Sequence, residues 1–398
     1  MRRCQRLGGN LGVQSFRFSA TGRPREQKIV VFDQNISRNQ WAEILANCRG
    51  HILRELPLVN GVLVLVDEEE IADVQALAQS RSGVVRVEDD IDIELAYEVG
   101  KVQWGPRFRE DVPWGVKRIN IGDASQTGNG VNVGILDTGV DSRHPDLAGN
   151  IKGGYSAIAG IDSASDDNGH GTHVAGTIGA LQNSIGVLGV APRANIYAIK
   201  VLDAKGSGKL SSLIDGIGWC VEKGIKVVNM SLSSSTENQT FRDMVQSARK
   251  AGITMVCAAG NRGPGSNSVG YPAKYVESIA VAAIDENNNI ANFSSRGREI
   301  SISAPGVDIL STWPGKQYRK STGTSMAAPH VTGAVALLFE ADPSLSPADV
   351  KSLLQASADR LDGVSSDEQG AGVLNVSQAL SRVSKKRVRE VCVMGVAT

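Results

Sequence analysis

The chain has 398 residues, which is more than a single hydrophobic core usually organises, so two or more domains are expected. Lysine plus arginine number 42 and aspartate plus glutamate number 42, so the formal net charge is zero. A chain without net charge has no global field to attract nucleic acid or an anionic membrane, and neither is an expected partner. We expect a monomer. The sequence contains no run of ~18 apolar residues of the kind that forms a membrane-spanning helix.

The cysteines are odd in number and scattered, with no Cys-x-x-Cys spacing: Cys4, Cys48, Cys220, Cys257 and Cys392. This pattern argues against a zinc knuckle or a dense disulfide framework. One pair could still form a disulfide.

Residues 1–27 are polar and arginine-rich, and we interpret them as a flexible leader without the apolar run of ~7–15 residues found in a secretory signal. A βαββαβ-like unit of about seventy residues follows, which is a known supersecondary pattern. Its predicted elements are strands at 29–32, 61–66 and 84–88 and helices at 39–47 and 68–79.

Between Glu94 and Val112 the pattern dissolves into glycines and mixed charges, and we assign residues 98–111 to an exposed linker that a protease could cut. Residues 112–382 then alternate apolar strands with helix-like segments, before a tail at 383–398. The predicted strands include 131–136, 196–201, 227–230 and 253–257. Near-continuous apolar strands separated by helices predict an α/β fold, with a mainly parallel sheet and helices on both faces, preceded by the small α+β domain.

Asp137 directly follows one of these strands and precedes Thr138-Gly139. Its carboxylate should therefore emerge at the carboxyl edge of the sheet, where sites in such folds usually lie. An aspartate in this position is, taken alone, more often a turn or capping residue.

His170 lies in the segment Asn168-Gly-His-Gly-Thr-His-Val-Ala-Gly176, whose glycines allow the backbone to approach the imidazole closely. We interpret His170 as a general base and His173 as a buried, hydrogen-bonded neighbour. A metal-dependent hydrolase with a His-x-x-His pair is the alternative, but no matching cysteine or carboxylate segment is visible.

Ser325 precedes an apolar helix that contains Pro329. Proline is best tolerated in the first turn of a helix, so we expect Pro329 in that turn and Ser325 at the helix start. The free amides and dipole at that end favour an anion such as the oxyanion of an acyl-transfer intermediate. A lone serine in this position is ordinarily a cap.

Taken together, Asp137-Thr-Gly, His170-Gly-Thr-His and Gly323-Thr-Ser-Met-Ala327 resemble the three signature blocks of the subtilisin family, in its chain order of Asp, His and Ser. The resemblance covers about residues 28–380. It implies a serine endopeptidase that works through an acyl-enzyme. In that mechanism Ser325 attacks the peptide carbonyl, His170 transfers the proton and Asp137 orients the imidazole. An inactive scaffold that only binds peptides is the alternative.

The same resemblance assigns further roles. It implies that Asn261 donates to the oxyanion and that substrate binds as an added strand. The implied substrate-binding residues are Gly206, Ser207, Gly208, Ser231, Leu232, Ser233, Ala258, Gly260 and Gly270. Ser233-Ser234 stands where the family commonly has Gly-Gly, whereas Gly270 at the base of the primary pocket suggests room for a large apolar group.

The segment from Leu181 to Val187 resembles the calcium loop of the family, which implies structural Ca²⁺ as a cofactor. Calcium takes six to eight oxygen ligands, and the alternative is a plain polar surface loop. The implied ligands are Glu110, Asp146, Leu181, Asn183, Ile185 and Val187, with carbonyl oxygens from the apolar residues.

Residues 28–97 resemble the subtilisin propeptide, which implies a self-processing precursor with an intramolecular inhibitor. We expect the cut between Leu95 and Arg109, with Tyr97 favoured because it suits a large pocket. A propeptide implies activation outside the cell, so secretion is the expected destination although no signal peptide is visible.

Overall fold

The structure of the chain, a computed structural model, describes residues 25–46, 50–79, 83–96, 102–103, 109–122 and 124–384. It divides the chain into two compact units, one ending at Asp90 and one beginning at Ile91. The small domain was expected to extend to residue 97. The boundary comes earlier because Asp92–Leu95 forms a strand that pairs within the larger unit.

The small unit contains the expected βαββαβ order. Its elements are β1 (Arg25–Phe32), α1 (Arg38–Ala46), β2 (His51–Leu56), β3 (Gly61–Asp67), α2 (Ile71–Ala76) and β4 (Val84–Asp89). The strands form one antiparallel sheet in the order β2-β3-β1-β4. The helix predicted over 68–79 is shorter than expected, since 3₁₀ turns at Glu68–Glu70 and Leu77–Gln79 flank α2.

The core of the small unit lies between this sheet and its helices. Trp41 of α1 stacks on Phe32 of β1 with 5.1 Å between ring centroids, and both side chains are buried. Along β3 the apolar residues 62–66 are buried without a break, so this strand anchors the sheet.

The larger unit is built from short strands and longer helices. Its strands are β5 (Asp92–Leu95), β6 (Val102–Gln103), β7 (Asn132–Asp137), β8 (Ile151–Ser156), β9 (Asn195–Lys200), β10 (Ser207–Lys209), β11 (Val227–Met230), β12 (Leu232–Ser233), β13 (Thr254–Ala258), β14 (Ile279–Ile284), β15 (Ile300–Pro305), β16 (Ile309–Trp313) and β17 (Gln317–Ser321). Its helices are α3 (Trp114–Arg118), α4 (His170–Gly179), α5 (Leu210–Glu222), α6 (Gln239–Lys250), α7 (Thr324–Ala341), α8 (Pro347–Ala356) and α9 (Ser366–Gln369). Residues 376–384 are also helical.

A parallel sheet organises this unit, with the strand order β15-β14-β13-β11-β7-β9-β8. Every residue of β11, β13 and β14 is buried, as expected for strands covered on both faces. Helix α7 is itself buried along almost its whole length and packs on β13 and β14. The predicted α/β class with a mainly parallel sheet is confirmed.

Strand β7 lies where the strand order reverses. The next strands along the chain, β8 and β9, lie on one side of β7, and β11 lies on the other. The carboxyl end of such a switch strand is the usual place for a site in an open α/β sheet, and Asp137 is the last residue of β7.

Within the described ranges, no helix combines the length and the apolar character needed to cross a membrane.

Candidate active site

Asp137 and His170 form a buried pair. Asp137 ends β7, His170 begins α4, and neither side chain is exposed to solvent. The imidazole Nδ1 lies 2.7 Å from Oδ1 and 2.9 Å from Oδ2 of the carboxylate. A carboxylate on Nδ1 fixes the tautomer of the ring, so that Nε2 is the nitrogen able to accept a proton.

Glycines allow α4 to approach β7 this closely. A Cβ at Gly171 would overlap the carbonyl oxygen of Gly139 and lie 3.2 Å from Cβ of Asp137. Gly169, just before the helix, has φ 111°, and a Cβ there would overlap the Trp313 ring. These two glycines therefore let the start of α4 lie against the end of β7 and against Trp313.

Asp166 secures the loop that leads into α4, a role that sequence reasoning missed. Its Oδ1 accepts the N–H groups of Asn168 and Gly169 at 3.0 and 2.8 Å, and its Oδ2 accepts the N–H and hydroxyl of Thr172. Its position just ahead of the histidine segment was the only available signal.

His173 is fully buried, as predicted. Its Nε2 lies 2.9 and 3.0 Å from the carbonyl oxygens of Ile309 and Arg319, so that nitrogen carries the proton. Burial, and secondarily the neighbouring His170, lowers the pKa of His173 to about 3, so the ring is neutral. Since Nε2 is protonated and committed to two carbonyls, and the described residues hold no cluster of three or more His, Cys, Asp or Glu, the metal-dependent alternative lacks a ligand set there.

Ser325 is the second residue of α7 and is fully buried. Its hydroxyl hydrogen-bonds to the carbonyl oxygen of Ala96 and lies 3.0 Å from that of Ser231. Its backbone N–H donates to the same Ala96 oxygen at 3.2 Å. A peptide carbonyl of the chain itself is therefore held against both the hydroxyl and the amide of Ser325.

Pro329 does not lie in the first turn of α7, so that part of the sequence prediction is wrong. It follows Ser325 by four residues inside the helix and cannot donate to the Ser325 carbonyl. The hydroxyl of Ser231 donates to that carbonyl instead, at 2.8 Å. This replacement explains how a proline is accommodated there while Ser325 still lies at the helix start.

Asn261 contributes a donor to the same region. Its Oδ1 accepts the backbone N–H of Thr324 at 3.0 Å and the Thr324 hydroxyl at 2.9 Å, which fixes the amide orientation. Its Nδ2 is buried and has no hydrogen-bond partner among the residues that the structure describes. The amide is thus a pre-oriented donor, and Thr324 is an orienting residue that sequence reasoning missed.

The predicted substrate-bordering segments flank a strand of the chain itself. Strand β5 pairs antiparallel with β10 on one side and β12 on the other. Its edges are supplied by Gly206, Ser207, Gly208, Ser231, Leu232 and Ser233, all named from the sequence. Tyr97, the favoured cleavage residue, lies outside the described residues, and the carbonyl that meets Ser325 is that of Ala96.

The remaining predicted pocket residues lie close to this strand pairing. Ala258 ends β13, and two residues later the N–H of Gly260 donates to the Thr324 hydroxyl at 3.1 Å. The N–H of Gly270 donates to the carbonyl of Ala259 at 2.9 Å. Gly260 is thus bonded to the start of α7, and Gly270 to the residue that precedes Gly260.

The predicted calcium residues also come together. Oδ2 of Asp146 accepts the N–H of Val187 at 2.8 Å and the Tyr318 hydroxyl at 3.3 Å, and the N–H of Leu181 donates to the Asp146 carbonyl at 2.9 Å. Oδ1 of Asp146 is buried without a hydrogen-bond partner within the described ranges. Burial is the main reason that its pKa is raised to about 6.

Glu110 contacts the same loop by accepting hydrogen bonds from its backbone, in addition to being a predicted calcium ligand. Its Oε1 accepts the N–H groups of Asn183 and Ser184 at 2.8 and 3.1 Å. Oδ1 of Asn183 in turn accepts the N–H of Ile185 at 3.1 Å. Glu110 therefore shapes the loop as well as bringing a carboxylate to it.

A hydroxyl at a helix start, a carboxylate-bound imidazole and an extended peptide held between two edges are features of a serine hydrolase that acts on peptide chains. The subtilase family model matches residues 128–372. The chain belongs to this family and is a subtilisin-like serine endopeptidase that acts on protein substrates.

Relatives match over most of the chain. Alkaline protease of Alkalihalobacillus alcalophilus is 42% identical over 91% of this chain and 93% of its own length. Subtilisin E of Bacillus subtilis is 40% identical over 93% of both chains, and Subtilisin Savinase of Lederbergia lenta is 48% identical over 68% of this chain and 99% of its own. Among solved structures, fervidolysin from Fervidobacterium pennivorans, a keratinolytic enzyme related to subtilisin, matches with a TM-score of 0.78 and 30% identity over 90% of this chain and 61% of that chain.

Proposed function

We propose that Asp137, His170 and Ser325 are the catalytic triad of a precursor that cleaves its own chain between Ala96 and Tyr97. The observation that supports this most directly is the Ala96 carbonyl oxygen, which accepts hydrogen bonds from both the hydroxyl and the N–H of Ser325. Contacts from a nucleophile and from an oxyanion donor to one peptide carbonyl are those that a bound substrate would need.

The proposed chemistry is acyl transfer. Ser325 Oγ bonds to the carbonyl carbon while its proton moves to Nε2 of His170, and the Ser325 N–H and the Asn261 amide stabilise the oxyanion. When the tetrahedral intermediate collapses, the C–N bond breaks and His170 returns the proton to the leaving amine. Water then hydrolyses the acyl-enzyme by the same route, and Asp137 orients and stabilises the imidazolium throughout.

We further propose that β5 remains bound after the cut and inhibits the enzyme. Its main-chain bonds on both edges do not depend on the cleaved bond, and Ile93 is 1% exposed, so the product strand keeps its anchor. An enzyme inhibited in this way is suited to release from the cell before activation, and we propose an extracellular site of action.

The loop around Asp146 is proposed to hold a structural Ca²⁺. The fit rests on the buried, unpartnered Oδ1 of Asp146, since an ionised carboxylate in such a position needs a cation or a donor. Glu110, Asn183 and the carbonyls of Leu181, Ile185 and Val187 would complete the oxygen-rich set that Ca²⁺ prefers. The ion would supply positive charge that offsets the buried carboxylate of Asp146, and its ligands would connect this loop to Asp146.

The triad is tested by comparing the unmodified precursor with Ser325→Ala. We expect the unmodified chain to release an N-terminal fragment that ends at Ala96 and to react with a fluorophosphonate at Ser325. The alanine variant should stay uncut and unlabelled, with a loss of about 10⁶ in turnover, the magnitude known for the nucleophile of subtilisin.

Ser235→Ala is the matched control, because Ser235 is exposed and lies outside the site. A folded Ser325→Ala protein that still processes itself would overturn the assignment. So would an unmodified protein that hydrolyses no peptide substrate at all.

A further inference from the structure

The P1 residue, whose carbonyl is attacked, is an alanine in this chain. Ala96 is 4% exposed, and its N–H points to the Ser231 carbonyl at 3.5 Å while its own carbonyl meets Ser325. The side chain at this position is therefore enclosed. The size of the space around it decides which substrates fit.

Ser233 pairs with Glu94 of β5, two residues before Ala96, and its side chain lies against two glycines that the sequence assigned to substrate binding. Its side chain is enclosed, and its hydroxyl is buried without a hydrogen-bond partner among the residues that the structure describes. A Cβ at Gly270 would overlap Ser233 Oγ, and a Cβ at Gly260 would lie 3.5 Å from it. The hydroxyl thus lies against Gly270, which was expected to leave room for a large apolar group, and near Gly260.

We propose that Ser233 is a specificity-determining residue that narrows the primary pocket and selects small P1 side chains, alanine and serine above all. This inference rests on the proposed function and replaces the expectation of a large apolar P1 residue. A phenylalanine ring that reaches between Gly260 and Gly270 meets the hydroxyl and must displace it to fit. An alanine side chain is a single methyl group and needs less of this space, and a serine hydroxyl offers the unpaired group a partner.

The test uses the processed enzyme and a series of chromogenic tetrapeptides that differ only at P1: Ala, Ser, Leu, Phe and Tyr. We expect kcat/KM for Ala and Ser to exceed that for Phe and Tyr at least ~10-fold, the scale of discrimination that pocket size provides. In Ser233→Gly, kcat/KM for Phe should rise at least ~10-fold while the value for Ala changes by less than about 3-fold.

Ser234→Gly is the matched control, a neighbouring buried serine whose hydroxyl instead accepts the N–H of Thr236 at 3.2 Å. It should leave the Phe/Ala ratio unchanged. Should Ser233→Gly fail to fold, Ser233→Thr tests the same idea, because the added methyl should lower the Phe/Ala ratio further.

An unmodified enzyme that prefers Phe, Tyr or Leu to Ala would overturn the inference, as would a Ser233→Gly enzyme with an unchanged Phe/Ala ratio. In both results the enzyme still cleaves peptides, so the proposed function stands. A protein that cleaves none of the five peptides, shows no Ser325 labelling and releases no fragment would instead refute the proposed function.

Discussion

Thr324 is the residue that orients Asn261. Its hydroxyl donates to Asn261 Oδ1 at 2.9 Å and accepts the N–H of Gly260 at 3.1 Å, so it links the amide to the pocket wall. Thr324→Val keeps the shape of the side chain but removes both bonds. Since one hydrogen bond contributes ~1 kcal/mol net, we expect kcat to fall about 5-fold with little change in KM.

Asn261→Ala should cost more, about 10²–10³ in kcat, which is the loss known for the corresponding amide of subtilisin. If Thr324 acts through Asn261, adding Thr324→Val to Asn261→Ala should lower kcat little further. Steady-state kinetics of the two single variants and the double variant measure this coupling. Fully additive losses in the double variant would contradict an orienting role. Thr322→Val serves as the control, because the Thr322 hydroxyl accepts the N–H of Asp308 and does not contact Asn261.

Among single residues, the sequence allowed us to predict those with reactive side chains, but not the residues that hold those side chains in position. His170 and Ser325 stand in segments with a reactive side chain and unusual glycines. Thr324 and Asp166 have no distinctive local pattern, because threonine is common near helix starts and aspartate is common in loops. Their roles depend on partners that only the folded chain brings near.

Strand β5 is the element on which the proposed inhibition depends. Its side chains alternate, with Ile93 buried and Glu94 exposed. Ile93→Ala removes a buried apolar group and should weaken retention of the cleaved strand by about 2 kcal/mol, or ~30-fold in release. Glu94→Ala should change release little, because that side chain faces solvent.

The measurement is the delay between completed cleavage, followed by mass spectrometry, and full peptidase activity. The delay should shorten in Ile93→Ala and persist in Glu94→Ala. Equal delays in the two variants would argue against side-chain anchoring of the product strand.

The elements show why prediction succeeded for some strands and failed for others. The strands β7, β9, β11 and β13 are mostly apolar, and they were predicted within one or two residues of their observed bounds. Strand β2 was missed because it is an edge strand whose side chains are mostly exposed. Strand β5 was not predicted, although its residues were assigned to the small domain, because its pairing edges come from segments more than a hundred residues later and no local pattern encodes that pairing.

For the whole molecule, the proposed Ca²⁺ site at Asp146 would make stability depend on a cation. Its carboxylate is held in the interior by Val187 and Tyr318, with Oδ1 lacking a partner within the described ranges. A Ca²⁺ bound only by the folded chain stabilises it by about 2.7 kcal/mol at a hundred times its Kd. Removing the ion should therefore lower Tm by roughly 5–10 °C.

The measurement is thermal unfolding of the Ser325→Ala protein, which cannot digest itself, with Ca²⁺ or with excess chelator. Asp146→Asn removes the carboxylate charge, so its Tm should be lower in Ca²⁺ and almost insensitive to chelator. Glu286→Gln, an exposed carboxylate away from the loop, should retain the full chelator effect. A chelator-induced shift that is the same in Asp146→Asn as in its parent would place the stabilising ion elsewhere, because a site built on Asp146 must lose affinity with that charge.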